Sequence, residues 1–151
     1  MGKNVIEGKV AIITGASRGV GEATAMALSR NGVSVVLAAR TLNDLERVSD
    51  EIQANGGDAL VVRTDVTLLD QVQQLVDQTL DHHGKIDVLI NNAGLASGLN
   101  HIQDGSTDDW DQMIDTNVKG LLYVSKAVMP LMIKQKHGHI INIGSTAGKE
   151  V

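Results

Sequence analysis

A glycine-rich segment near the amino terminus has the residue types that bind phosphate. It runs from Thr14 to Gly21 and directly follows a β-branched, apolar run. Glycines at a strand-to-helix turn let the backbone approach a pyrophosphate, and the N–H groups at the helix start attract its charge. The spacing G-x-x-x-G-x-G differs from the common G-x-G-x-x-G, and the sequence has no triphosphate-binding Gly-Lys-Ser/Thr loop. The segment predicts dinucleotide binding, with helix packing as the alternative role of its glycines.

The charge at the end of the second apolar run indicates which dinucleotide to expect. In dinucleotide-binding folds an acidic residue about 20 residues after the glycines usually binds the ribose 2′-hydroxyl. Here Ala39 and Arg40 take that place, and Arg18 lies in the glycine-rich segment. A guanidinium pairs bidentately with a 2′-phosphate, whereas a carboxylate repels it. We expect NADP rather than NAD, the alternative being that Arg40 is a solvated charge and Arg18 pairs elsewhere.

The elements that must position these residues alternate regularly along the chain. Continuous apolar runs indicate strands that are covered on both faces, as in a parallel sheet, and helix-period segments separate them. The order βαβαβαβαβ predicts one α/β domain over residues 1–151, with a doubly wound, Rossmann-like parallel sheet of five strands. The predicted strands are Lys9–Thr14, Ser34–Ala39, Asp58–Arg63, Ile86–Ile90 and His139–Ile143.

Two of the predicted helices carry recognisable start signals. Thr41 with Asp44, and Thr67 with Asp70, have the spacing of a capping box, with Asp in place of the usual Glu. Glycines tend to follow the last residue of a helix because they adopt the left-handed conformation without steric cost. We expect three helices to end before Gly32, Gly56 and Gly84.

The longest predicted helix runs from about Thr107 to Lys136. Between Val118 and Ile133 it is apolar on nearly every side, which is typical of a helix that is buried on two faces. The sheet covers one face, so we expect the other to contact a second copy, giving a homo-oligomer through the helix from Leu121 to Met132. Pro130, inside this helix, should bend it.

The composition excludes several other classes of protein. With 13 Lys and Arg against 18 Asp and Glu, the formal charge is -5, which argues against nucleic-acid binding. The chain has no cysteine, so disulfides and thiolate metal sites are excluded, and the His137 and His139 pair lacks further ligands for a metal. No apolar run approaches the roughly 20 residues of a membrane span. The first residues lack a secretory signal, so we expect a cytoplasmic protein.

Four motifs together resemble the short-chain dehydrogenase/reductase family. They are Thr14–Gly21, Asn91–Gly94, Asn117–Gly120 and Ile141–Ser145, in the order and context of that family, and the resemblance extends from about Gly8 onward. It implies a Rossmann-like fold and an NAD(P)-dependent oxidoreductase. The implied reaction is hydride transfer between the nicotinamide and the carbon of a small-molecule carbonyl or alcohol.

The resemblance also implies roles for individual residues. Ser145 matches the serine that holds the substrate oxygen, and Asn117 matches the asparagine that supports a proton-relay water. Asp65 and Val66, after the third strand, resemble the pair that meets the adenine. Asn91, Ala93 and Gly94 resemble the turn after the fourth strand that supports the adenosine ribose and the carboxyl-terminal edge of the sheet. The candidate cofactor-binding residues are Gly15, Ser17, Arg18, Gly19, Val20, Gly21, Arg40, Asp65, Val66, Asn91, Ala93 and Gly94.

The family's general acid, a tyrosine with a lysine four residues later, has no match in this sequence. The resemblance would place that tyrosine roughly seven positions beyond Val151. Tyr123 is the chain's one tyrosine, and Lys126 follows it at i+3, so we interpret Tyr123 as structural. We expect the amino-terminal part of an enzyme, truncated before the Tyr-x-x-x-Lys helix, and little or no turnover by this chain alone.

Other interpretations of the same residues remain open at this point. Taken alone, Ser145 is an ordinary loop hydroxyl, Asn117 is a buried polar group bonded to backbone, and Asp65 is a helix-cap or turn residue. For the whole chain, the alternatives to an enzyme are a non-catalytic NADP-binding module and an assembly fragment. The latter would be held together by the apolar helix from Leu121 to Met132.

Overall fold

Five parallel strands form the centre of the molecule. The structure is a computed structural model that describes residues 5–98 and 100–146. The strand order is β3-β2-β1-β4-β5, so the chain starts in the middle, builds one half of the sheet and then crosses to the other. The predicted Rossmann-like α/β fold is confirmed. The strands are β1 (Val10–Thr14), β2 (Ser34–Ala39), β3 (Ala59–Arg63), β4 (Val88–Asn91) and β5 (His139–Asn142).

Helices cover both faces of the sheet. Their buried side chains divide into two clusters because successive strand residues point to opposite faces. Ile12 packs toward α3 and α5, whereas the adjacent Ile13 packs toward α1 and α2, and both are fully buried. The helices are α1 (Gly19–Arg30), α2 (Leu42–Ala54), α3 (Leu69–His83), α4 (Thr107–Ile114) and α5 (Leu121–Gln135).

The fourth strand begins two residues later than predicted, at Val88 rather than Ile86. The backbone of Ile86 pairs with a side chain instead of a strand. Its N–H donates to Oε1 of Gln135 at 3.3 Å, and its carbonyl accepts from Nε2 of the same amide at 2.8 Å. Gln135, at the end of α5, therefore takes the place of a neighbouring strand at this position.

The predicted capping boxes are wrong at both helices. Thr41 does precede α2, but its side chain makes no capping hydrogen bond. Thr67 is not the cap of α3, which begins at Leu69. Its N–H and its hydroxyl both donate to Oδ1 of Asp65, at 3.0 and 2.7 Å, so a nearer carboxylate has taken the groups that a cap would use. The predicted helix ends are confirmed, with Gly32, Gly56 and Gly84 all at positive φ.

The long predicted helix exists as α4 and α5 joined by a π-helical segment, Asp115–Gly120. One face of α5 is in the core, where Val124 and Val128 are fully buried. On the opposite side, Leu122 and Ile133 are 57% and 69% exposed. An apolar face is therefore uncovered in the single chain. The helix continues past Pro130 to Gln135, and the expected bend at this proline stays a prediction.

None of the helices within the described ranges combines the length and the apolar character that crossing a membrane requires. Residues 1–4, part of the segment in which the sequence shows no secretory signal, lie outside those ranges.

Candidate dinucleotide-binding site

A cleft opens at the carboxyl ends of the strands, near the neighbouring strands β1 and β4, after which the chain passes to opposite faces of the sheet. This is the switch point at which open α/β sheets bind ligands. The ends of four strands contribute to it, and nine of the twelve predicted cofactor residues line it. Those nine are Gly15, Ser17, Arg18, Val20, Arg40, Asp65, Val66, Ala93 and Gly94.

The glycine-rich turn requires its glycines for two different reasons. Gly15 and Gly19 have φ values of +65° and +59°, which is the left-handed region that L side chains rarely adopt. Gly21 is required for packing, because a Cβ there would lie 2.2 Å from the carbonyl oxygen of Gly15 and 2.5 Å from Nδ2 of Asn92. Gly21 therefore lets α1 start directly against the turn, and it supports the site without lining the cleft.

The amino terminus of α1 fits a phosphate group. Arg18, the residue before the helix, has extended backbone angles and makes no side-chain capping bond. A Cβ at Gly19 would meet no atom within 4 Å, so the space over the first turn of the helix is open. Backbone N–H groups at a helix start carry partial positive charge and bind anions. The residues present therefore suit the pyrophosphate of a dinucleotide.

Two polar side chains join the glycine-rich turn to the end of β4. Nδ2 of Asn92 donates to the carbonyls of Thr14 and Gly15, both at 3.1 Å. In return, Oγ1 of Thr14 accepts from the N–H groups of Asn92 and Ala93, at 3.0 and 2.9 Å. Sequence reasoning placed Thr14 and Asn92 inside motifs but did not select either. Their positions could have identified them, because Thr14 ends β1 and Asn92 directly follows β4.

Asn91 lies outside the cleft lining. Its side chain is buried, and its Nδ2 donates to Oγ of Ser125 and to Oδ1 of Asn142, both at 3.0 Å. These bonds join β4 to β5 and α5. Since successive strand residues face opposite sides, Asn92 faces the glycine-rich turn and Asn91 faces the other half of the fold. The predicted support of the sheet edge fits this placement, whereas contact with the adenosine ribose stays a prediction.

Two arginines stand on the side of the cleft formed by the glycine-rich turn and the end of β2. Arg18 and Arg40 both line the cleft, and within the described ranges neither guanidinium makes an ion pair or a hydrogen bond. The structure thus gives Arg18 no partner within the described ranges that would support the alternative of pairing elsewhere. Asp44, in the first turn of α2, also lines the cleft. The end of β2 itself carries Ala39 rather than a carboxylate.

A third arginine stabilises the turn from outside the cleft. Arg47, on α2, donates through Nη1 and Nη2 to the two carboxylate oxygens of Glu22, both at 2.9 Å, and Nη2 also donates to the carbonyl of Ser17 at 3.3 Å. The hydrogen bond from Arg47 lowers the pKa of Glu22. Neither residue was selected from the sequence, because they are 25 positions apart.

The two catalytic candidates lie outside the cleft lining. Asn117, in the π-helical segment, accepts the N–H of Leu95 at 2.9 Å and donates to the carbonyl of Leu95 at 2.8 Å. Its side chain thus fixes the loop after β4. Ser145 is exposed and follows β5, at the carboxyl edge of the sheet. Tyr123 packs against the core, as the structural interpretation expects.

A buried carboxylate lies at the opposite edge of the sheet. Asp87 is 3% exposed at its side chain and accepts the N–H of Val10 at 2.9 Å. The ammonium groups of Lys85 and Lys9 lie 3.1 and 3.6 Å from its oxygens, and Nδ1 of His137 lies at 3.5 Å. Burial raises the pKa of Asp87, but the N–H bond and the two lysines outweigh it, so the pKa is lowered.

Asp87 joins strands at the edge away from the cleft, which makes it structural. The sequence analysis placed it inside the predicted strand Ile86–Ile90 but did not select it, because the groups that surround it are distant in sequence. No group of three or more potential ligands that could hold a metal occurs in the part of the chain that the structure describes.

The fold and the cleft define a nucleotide-binding protein of the Rossmann-like class. A sequence profile of the family described as short chain dehydrogenase matches residues 9–151. The chain therefore belongs to the short-chain dehydrogenase family, and the resemblance of its four motifs is confirmed.

Individual relatives agree with this assignment. An uncharacterized oxidoreductase of Staphylococcus saprophyticus is 47% identical over 149 residues, which cover 98% of this chain and 59% of that protein. A metagenomic short-chain oxidoreductase solved with NADP superposes with a TM-score of 0.91 at 40% identity, covering 97% of this chain and 66% of that one. A Burkholderia phymatum short-chain dehydrogenase/reductase solved with NAD has a TM-score of 0.91 at 38% identity, covering 98% and 52%. The chain spans about three fifths of the length of the curated relatives it matches.

Proposed function

We propose that this chain is the NADP-binding part of an oxidoreductase that transfers a hydride between the nicotinamide and the carbon of a carbonyl or an alcohol. The observation that carries the choice of NADP is the pair of guanidinium groups, Arg18 and Arg40, at the adenosine end of the cleft. The two solved relatives contain NADP and NAD respectively, so the preference must come from this chain's own residues.

The cofactor roles follow from the cleft. The start of α1 and the glycine-rich turn hold the pyrophosphate, and Arg18 and Arg40 bind the 2′-phosphate as bidentate donors. Asp65 and Val66, which line the cleft after β3, contact the adenine. When bound, the cofactor supplies or accepts the hydride.

The catalytic roles are proposed from the resemblance. Ser145 donates its hydroxyl hydrogen to the substrate oxygen, and Asn117 holds the loop after β4 in place while supporting the proton relay. We do not assign Tyr123 as the general acid, because it packs against the core and does not line the cleft. We therefore propose that a polypeptide of these 151 residues binds NADP and turns over little. Normal rates of carbonyl reduction with NADPH would contradict this and would also exclude a non-catalytic module.

Calorimetric titration with NADP⁺ and NAD⁺ tests the cofactor assignment. Replacing Arg40 by Asp removes a charge-assisted pair worth about 1.5–3 kcal/mol, so Arg40→Asp should weaken NADP⁺ binding by roughly 10- to 100-fold. NAD⁺ binding should stay the same or strengthen. Arg30→Asp is the matched control, because Arg30 lies at the last turn of α1, away from this cleft. Unchanged NADP⁺ affinity in Arg40→Asp would remove the basis for the NADP preference.

The partners proposed for this chain are a small-molecule substrate and a second copy of itself, with no nucleic acid and a cytoplasmic location. A specific observation favours self-association. The apolar side chains of Val118, Leu122, Met129 and Ile133 are between 46% and 69% exposed on one helical face. Such a face is more apolar than a solvated helix requires, and a second copy of the chain would cover it.

A further inference from the structure

Arg63 contacts Arg40, the residue that we assign to the 2′-phosphate. Arg63 itself does not line the cleft. It is the last residue of β3 and pairs in register with Ala39 of β2. Its Nε donates to the carbonyl oxygen of Arg40 at 3.1 Å. The carbonyl accepts this bond from a donor that lies 23 positions further along the chain.

The position of this bond in the sheet explains what it does. The last backbone bond between β2 and β3 runs from the N–H of Thr64 to the carbonyl of Ala39, at 2.9 Å. The carbonyl of Arg40 therefore lies just past the end of the ladder, where no strand neighbour fixes it. The side chain of Arg63 extends the pairing by one residue and holds the peptide that joins Arg40 to Thr41.

A fixed peptide matters here because, within the described residues, no side-chain cap orients the backbone just before α2. Thr41 precedes that helix without a side-chain capping bond. The Arg40 side chain starts from the peptide that Arg63 holds, so fewer of its conformers point away from the cleft. A guanidinium that is already oriented loses less conformational entropy when it binds a phosphate.

We propose that Arg63 is a positioning residue that acts through Arg40 on recognition of the ribose 2′-phosphate, an inference that rests on the proposed NADP function. Arg63 does not bind the phosphate. It sets the backbone from which the binding group extends, and its effect is specific to the cofactor that carries that phosphate.

A double-mutant cycle tests this inference, with NADP⁺ and NAD⁺ as the calorimetric probes. Losing one net hydrogen bond should make Arg63→Met bind NADP⁺ about fivefold more weakly, with NAD⁺ binding unchanged. In an Arg40→Met background, adding Arg63→Met should have no further effect, because the residue through which it acts is gone. Arg30→Met is the control for loss of one exposed positive charge far from the cleft.

Each other outcome has a distinct meaning. An equal effect of Arg63→Met with and without Arg40 would overturn the inference in favour of long-range charge. Equal weakening of both cofactors would overturn it in favour of a structural role. If the wild-type chain does not prefer NADP⁺, the proposed function fails first, and this inference fails with it.

A milder substitution keeps the test decisive if Arg63→Met does not fold. Arg63→Lys retains the charge but places a methylene where Nε donates. Positioning through the hydrogen bond predicts weaker NADP⁺ binding in Arg63→Lys, whereas an unchanged NADP⁺ affinity would contradict it.

Discussion

Residues outside the cleft hold the backbone of the residues that line it. Gly21 lets α1 start against the glycine-rich turn, and Thr14 and Asn92 tie that turn to β4. Arg47 holds the carbonyl of Ser17, which precedes the open helix terminus. At the scale of single residues, the site is therefore a set of backbone groups whose directions are fixed by hydrogen bonds from outside it.

Arg47→Met should weaken binding of NADP⁺ and NAD⁺ alike, by about threefold, because the Ser17 peptide loses a hydrogen bond and both cofactors use the turn. Calorimetric titration with each cofactor measures this. Thermal unfolding should change little, because the ion pair of Arg47 with Glu22 is exposed.

Glu22→Gln is the control for the ion pair, since it removes the carboxylate charge and leaves the bond from Arg47 to Ser17 possible. Glu22→Gln should retain most of the affinity. If it weakens binding as much as Arg47→Met, the ion pair rather than the carbonyl contact positions the turn.

Contacts at the ends of elements add to the packing of the two core clusters. His83, in the last turn of α3, lies 3.8 Å through Nδ1 from Oδ2 of Asp58, next to the start of β3, and its side chain is 8% exposed. At the other end of the chain, α5 leaves one apolar face uncovered, and β5 is the outer strand of the described sheet. An outer strand beside an uncovered apolar helix is a surface that associates readily.

The pH dependence of unfolding should show the burial of His83. Burial lowers the pKa of His83, with Asp58 acting in the opposite direction. Because the folded pKa is below the unfolded value of about 6.5, the unfolded state binds the proton first, and stability falls as the pH drops below that value. His83→Gln should flatten this part of the curve in denaturant titrations. The exposed neighbour provides a control, and a flattening of the same size in His82→Gln would contradict the assignment.

Self-association should depend on the uncovered face of α5. In light scattering, the wild-type chain should show a mass above 16.0 kDa, and Leu122→Asp should shift the population toward that mass because a carboxylate cannot be buried there without cost. Lys134→Glu is the control, as an exposed residue of the same helix whose charge changes sign. A wild-type chain that is monomeric across the concentration range would exclude the proposed interface.

At the scale of the whole molecule, the two ends of the parallel strands differ in structure. The carboxyl edge of the sheet is open and glycine-rich, and it carries the cleft with its two arginines. The amino edge is closed by Asp87, which contacts Val10 of β1 and the side chains of Lys85 and His137, next to β4 and β5. Side chains thus tie the sheet together at the edge opposite the cleft, which leaves the carboxyl edge free to form the site.

Asp87→Asn should lower the free energy of unfolding at neutral pH by about 1–2 kcal/mol, because the amide loses the charge that the lysines and the N–H of Val10 favour. The pKa of Asp87 is lowered by folding, so its contribution is present above the unfolded pKa and is lost as the pH falls through the folded value. Urea titrations at several pH values should show the two proteins converging in acid. A constant difference down to acid pH would contradict a charge-based role.

Much of the fold was predictable from local patterns. The five strands were each located to within two residues, and the helix ends followed from glycines such as Gly84. The capping box at Thr67 failed because Asp65 competes for the groups of Thr67, a local contact that spacing rules do not rank. Most of the cofactor cleft was predictable too, since Gly15, Arg18 and Arg40 belong to short motifs at strand ends.

The sequence by itself determined the order of the elements, the glycine-rich turn and the charge at the end of β2, because each depends on periodicity or sterics within a few residues. Only the tertiary structure decided that Asn92 rather than Asn91 faces the cleft, that Asp87 contacts Val10 and that Arg63 holds the carbonyl of Arg40. The contact of Asp87 with Val10 spans 77 residues and that of Arg63 with Arg40 spans 23. Such contacts arise once the strands adopt the order β3-β2-β1-β4-β5, and no local pattern records which side chains that order brings together.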